Sequence, residues 1–140
     1  MKKTLIPFLA FLLLVFAGCN NNTTQEDAAK ATIYLNAESM NNEDIDLYME
    51  TIHPESPLYG ATERMVQTLF EQYDLKVTLK DVKVEKIEDD LAEVLVVQQT
   101  RKLAGGDFQD NEVETRNVLK LHNGKWKFFS SQILNTGVLE

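Results

Sequence analysis

The chain has 140 residues, 44% of them hydrophobic and 26% charged, with 22 acidic against 14 basic side chains and a formal net charge of −8. That balance excludes a basic nucleic-acid-binding surface, and one cysteine excludes any disulfide within the chain. The length suits one folded domain with one core and is too short for two.

In chain order, Lys2 and Lys3 precede an apolar run from Leu5 to Phe16, broken only by Pro7, and Ala17 and Gly18 lead to Cys19. This is the pattern of a secretory signal. The run is shorter than the roughly 20 apolar residues that a membrane span needs, so a cleaved signal over residues 1–18 is expected rather than a permanent anchor. Phe16-Ala17-Gly18-Cys19 resembles a bacterial lipobox, with Phe16 where that motif most often has Leu. The resemblance implies cleavage before Cys19, lipid attachment at Cys19 and a membrane-anchored, extracytoplasmic protein. Two acyl chains would give the stable anchoring that a single chain does not. Loss of Lys2 and Lys3 would leave 12 basic against 22 acidic residues, a formal charge of −10, unsuited to anionic lipid except through the anchor. Residues 19–27, with Asn20, Asn21, Asn22, Thr23 and Thr24, are polar and of low complexity, and are expected to be an unordered tether to a domain over residues 28–140.

Residues 28–40 carry Ala29, Ile33, Ala37 and Met40 at helical spacing, predicting a first helix that Asn41 and Asn42 end. One of these asparagines is expected to cap a second helix with Ile45, Tyr48, Met49 and Ile52 on one face. Pro54 closes that helix by biasing His53 away from helical geometry. Ser56 and Pro57 suggest the entry to a third helix, delayed by Gly60 to about Thr62, whose stripe is Met65, Val66, Leu69, Phe70 and Tyr73.

From Leu75 to Ile133 the period changes to two, predicting four strands in a meander. Leu75, Val77 and Leu79 alternate with polar residues, and the phase then shifts to Val82 and Val84, which places a bulge near Lys80 and Asp81. Glu88, Asp89 and Asp90 form a turn. Residues 91–103 are apolar on both phases at their centre, as in an interior strand, and residues 104–111 form a longer loop. Residues 113–122 lead to Asn123-Gly124, the strongest short hairpin signal, after which Trp126 and Phe128 alternate with lysines. Helices followed by an antiparallel meander define an α+β architecture, with three helices packed on a curved four-stranded sheet.

This order of elements resembles the NTF2-like (SnoaL-like) cone of the cystatin-like group. The resemblance covers residues 28–133 and rests on the short second helix with Tyr48, the His53-Pro54 break, the Ser56-Pro57 entry to a long third helix, and Trp126-Lys127-Phe128 after Asn123-Gly124. It implies a sheet wrapped around the long helix and a pocket at the open end. Many members bind small molecules or dimerise through the sheet, and a minority are enzymes, so the fold does not transfer a function.

His53 is the candidate general base, set against a plain helix-end histidine; His122 is expected to be solvated beside the turn. Tyr34 and Tyr48 are expected in the core rather than as pocket donors. Two histidines and one cysteine do not make a zinc site, and Glu88, Asp89, Asp90, Asp107 and Asp110 lack the spacing of a calcium loop; no cofactor is expected. By alternation Gln98, Thr100, Asn117 and Ser130 continue the faces of Val96, Leu119 and Phe128, and are the expected ligand-binding residues at the mouth of the cone. Phe129, with Leu95 or Val97, gives the other face an apolar centre, which suggests a homodimer through the sheet. The leading reading is a non-enzymatic lipoprotein that binds a small molecule or an envelope protein. The alternatives are a hydrolase or isomerase using His53 and a structural subunit of an envelope assembly.

Overall fold

Alternating apolar and polar residues from Tyr73 onward produce four strands, β1 (Tyr73–Glu88), β2 (Leu91–Gly105), β3 (Asn111–His122) and β4 (Lys125–Val138). They pair antiparallel in sequence order into one sheet. A computed structural model of the chain describes residues 21–140; the expected signal and the Cys19 attachment site lie outside the described residues.

Lys80 is the extra residue where Leu79 and Asp81 pair with consecutive residues Gln98 and Val97, so the predicted bulge is present. Glu85, Phe129 and Leu134 are likewise extra residues against their neighbouring strands. Each raises local twist and bends the sheet, which gives it a concave side. Tight reversals complete it: Asn123 (φ 51°) and Gly124 (φ 76°) form the left-handed pair that a type I′ hairpin requires. Gly105 has φ 107°, and a Cβ there would collide with the Gln72 carbonyl oxygen, so only glycine fits that approach.

Three helices precede the sheet, α1 (Asn21–Asn41), α2 (Ile45–Glu50) and α3 (Tyr59–Gln72). The predicted face of α1 is the buried one: Ala29, Ile33 and Ala37 pack into the concave side. Ile33 joins Val94, Val96, Leu119 and Trp126 in the core. Fully burying one such side chain contributes about 1.5–3 kcal/mol.

Four local expectations are corrected. The segment expected to be a tether is helical from Asn21, because the Trp126 indole N–H donates to Gln25 Oε1 at 2.9 Å and docks the first turns; extending an existing helix is much easier than nucleating one. The cap of α2 is Asp44, whose Oδ1 accepts from the Leu47 N–H at 2.9 Å, after a left-handed Glu43 (φ 52°). Asn41 instead latches α1 to the edge of β1, its amide donating to the Val77 carbonyl (3.0 Å) and accepting from the Val77 N–H (2.7 Å). Third, the helix held by the curved sheet is α1, not the third one. Helix α3 lies at the rim, with Val66 buried and Met65 52% exposed, and Tyr73 leaves its stripe to begin β1.

The connection from α2 to α3 is tied to β4. The Phe128 N–H donates to the Thr51 carbonyl and the His53 N–H to the Phe128 carbonyl, both at 2.8 Å, making a short parallel bridge at Ile52. Ser56 does not cap α3, which is the fourth correction: its hydroxyl donates to the Phe129 carbonyl at 2.8 Å, and Leu58 takes the capping position. No helix of the described residues is long and apolar enough to cross a membrane.

Candidate functional site

At the end of the cone away from Trp126, α1, α2 and the sheet enclose a cavity of about 250 Å³. Its apolar walls come from the same stripe that fills the core, continued by Met40 and Leu79. Three of the four residues expected at the mouth line it, Gln98, Asn117 and Ser130. Thr100 does not; it is buried farther along β2, opposite Val77 and Asn111. The polar lining also includes Asn36, Tyr48, Ser56 and Thr115. Asn36 and Thr115 were legible in principle, three residues beyond Ile33 on a helix and two before Asn117 on a strand face.

Several of these polar groups are held by bonds to their surroundings. Asn117 is 4% exposed, and its amide nitrogen donates to Thr115 Oγ1 at 2.9 Å and to the Val94 carbonyl at 3.5 Å. The Asn36 amide donates to Thr51 Oγ1 at 2.8 Å, and that hydroxyl donates to the Tyr48 carbonyl at 2.6 Å. Burial pushes the Tyr48 phenol above its ordinary value, offset in part by hydrogen bonding with Asn36, so it is a neutral hydroxyl at physiological pH. Ser56 Oγ accepts from the Leu58 N–H at 3.3 Å besides donating to Phe129. Tyr48 thus lines the cavity, while Tyr34 is 55% exposed on α1, and neither sits in the core as expected.

Among the described residues no Asp, Glu, His, Lys or Arg side chain lines this cavity. His53 is buried elsewhere, its ring edge-on to His122 at 5.2 Å and to Phe129 at 5.6 Å. Its Nδ1 accepts from the Glu55 N–H at 3.1 Å, which leaves the proton of the neutral ring on Nε2. His122 is half-buried against it rather than solvated. A second, charged crevice of about 490 Å³ touches Asp46, Glu50, Glu63, His122 and Lys127. Among the described residues no group of three or more His, Cys, Asp or Glu is placed to hold a metal ion. The acidic turn residues are not all free in solvent: Asp110 accepts from the Lys102 N–H (2.8 Å) and from Arg101 (3.3 Å), which orders the β2–β3 loop.

On the outer face of the sheet, Phe129 carries the Lys120 ammonium 3.7 Å above its ring. Leu95 and Val97 are half-buried there, beside Arg116 and Glu85 at 3.6 Å and Gln99 and Glu112 at 2.8 Å.

A family described as the C-terminal domain of anti-sigma-I factor RsgI9 matches residues 31–139, from the middle of α1 to the end of β4. The chain belongs to this family. No curated protein matches it. Among solved structures, the chain is similar to an NTF2-like protein of unknown function from Pseudomonas putida KT2440, at 13% identity and TM-score 0.65, over 79% of this chain and 86% of that one. It is similar to a protein of unknown function with a cystatin-like fold from Nostoc punctiforme PCC 73102, at 11% identity and TM-score 0.65, over 79% and 90% of the two chains. It also matches a candidate scytalone dehydratase from Novosphingobium aromaticivorans DSM 12444, at 10% identity and TM-score 0.70, over 85% and 90%. At these identities the likeness shows the fold, an NTF2-like cone, and leaves the activity to the site.

Proposed function

We propose that this member of the RsgI9 C-terminal-domain family is a lipid-anchored, extracytoplasmic binding protein whose cone holds a small molecule without transforming it. The observation that carries the reading is the cavity lining. Its polar groups are neutral, Asn36, Ser56 and Asn117 are braced by neighbours, and among the described residues no ionisable side chain except a protonated Tyr48 lines the space. Such a lining orients a ligand, whereas hydrolysis or isomerisation by proton transfer calls for an acid or base within reach of the reacting atom. The family name attaches this type of domain to an anti-sigma factor, a regulatory protein, and that supports binding over catalysis. The lipobox-like Phe16-Ala17-Gly18-Cys19 supports membrane attachment at Cys19 and an extracytoplasmic position.

Native mass spectrometry of the full chain, released from the membranes of a bacterial host in mild detergent, tests both parts. The expected spectrum shows a diacyl adduct on Cys19 and a further non-covalent mass that leaves on activation chemically unchanged. Cys19→Ala is expected to move the protein out of the membrane fraction. Bare protein after gentle release would overturn the binding reading, and an unmodified Cys19 in the membrane fraction would overturn the anchoring.

A further inference from the structure

Three of the polar side chains that line the cavity commit hydrogen atoms inside the protein. Asn117 spends its amide N–H groups on Thr115 Oγ1 and the Val94 carbonyl, which leaves Oδ1 without a donor among the described residues on a side chain that lines the cavity. Ser56 spends its one O–H on the Phe129 carbonyl. Asn36 directs its amide nitrogen to Thr51 Oγ1. The lining is uncharged, and its most deeply buried polar side chain, Asn117, is left with an oxygen to be matched. A charged ligand would leave water for a site without a counter-charge, which is unfavourable. A ligand lacking donors would leave the buried Asn117 oxygen unsatisfied. The cavity, at about 250 Å³, lies below the roughly 300–1,000 Å³ of sites for drug-sized molecules, and its walls away from these groups are apolar.

We infer that the ligand is a small, uncharged, mainly apolar molecule carrying a hydroxyl or amide donor, and that Asn117 Oδ1 accepts that hydrogen bond. The inference rests on the binding reading above and narrows it to a chemical class. Three probes of one size and different charge separate the two: benzyl alcohol, benzoate and benzylamine, titrated against the full chain in lipid nanodiscs with empty nanodiscs as blank. Binding is read from the side-chain amide resonances of Asn117 and Gln98.

Benzyl alcohol is expected to shift both resonances saturably, with the two ions at least tenfold weaker. Asn117→Leu is expected to abolish alcohol binding, and Asn117→Asp to reverse the preference, with benzylamine now at least tenfold tighter than the alcohol. Thr115→Val frees the Asn117 amide without removing its oxygen and is expected to weaken the alcohol severalfold, which keeps the test open should an Asn117 variant fail to fold. If benzoate or benzylamine binds the wild-type chain as well as the alcohol does, the cavity is still a binding site but the chemical class is wrong. Unchanged alcohol binding in Asn117→Leu or in Thr115→Val removes Asn117 from its role. If none of the three binds, the binding reading falls together with this one.

Discussion

The two ends of the concave layer are built by the same four elements and differ over only a few residues of each. At the filled end α1 offers Ile33, β2 Val94, β3 Leu119 and β4 Trp126. At the open end the same elements offer Asn36, Gln98, Asn117 and Ser131. The filled end has one polar atom of note, the Trp126 indole N–H, and Gln25 satisfies it. The open end has many polar atoms, held in place by bonds that leave oxygens over. If the open end binds the ligand proposed above, stability is concentrated at one end and selectivity at the other, and the two should respond to substitution in opposite directions.

The largest expected effect breaks the filled end. Leu119 has no exposed surface, and Leu119→Ala is expected to lower stability by about 2–5 kcal/mol, read as a lower urea midpoint at unchanged slope. A loss below about 1 kcal/mol would mean that this end is not the seat of stability. A smaller effect of opposite sign is expected at the open end. Gln98→Leu extends the apolar stripe into the cavity and is expected to raise stability by about 0.5–1 kcal/mol while weakening the binding of benzyl alcohol. Equal destabilisation by both substitutions would erase the distinction between the ends.

The smallest effect concerns pH. The Tyr48 phenol is held above its usual 10.0 by burial. Below that value both folded and unfolded chains keep the proton. Above it the unfolded chain loses its proton first, so stability falls as pH rises from about 10 toward the raised folded value. Wild-type chain is expected to lose more of its melting temperature than Tyr48→Phe over that interval, and parallel losses would place the phenol in water rather than against the cavity.

The sheet was legible because alternation and turn chemistry are local. Asn123-Gly124 dictates its own backbone, and the phase change between Leu79 and Val82 can arise only from an extra residue. What the sequence concealed depends on partners far along the chain. Gln25 belongs to a helix because Trp126, 101 residues later, needs an acceptor. Asn41 resembles a cap in isolation, yet its amide fits the backbone of Val77. Helix α3 carries as apolar a stripe as α1, and periodicity does not say which of two amphipathic helices the curved sheet will hold. The same limit applies to the cavity. Alternation found Gln98 and Asn117, which share strands with core residues, but it carried the Phe128 face on to Ser130 where the bulge at Phe129 pairs Ser131 with Asn117, and it placed Thr100 at the cavity too, because a pattern of period two marks neither a bulge nor where a cavity ends.

The latch between Asn41 and Val77 also bears on assembly. Its amide offers β1 the donor and acceptor that a neighbouring strand would offer, and along the same strand Lys76, Lys80, Lys83 and Lys86 are interspersed with Asp74, Asp81, Glu85 and Glu88, a densely charged margin. Residues 130–138 of β4, at the opposite margin, contain no charged side chain and expose Ile133, Leu134 and Val138. A sheet open at both margins can recruit strands without limit and grow into a filament. With the Asn41 side chain on one margin and charge crowded along it, this sheet resists strand addition at β1 and leaves the uncharged stretch of β4 as the more open margin.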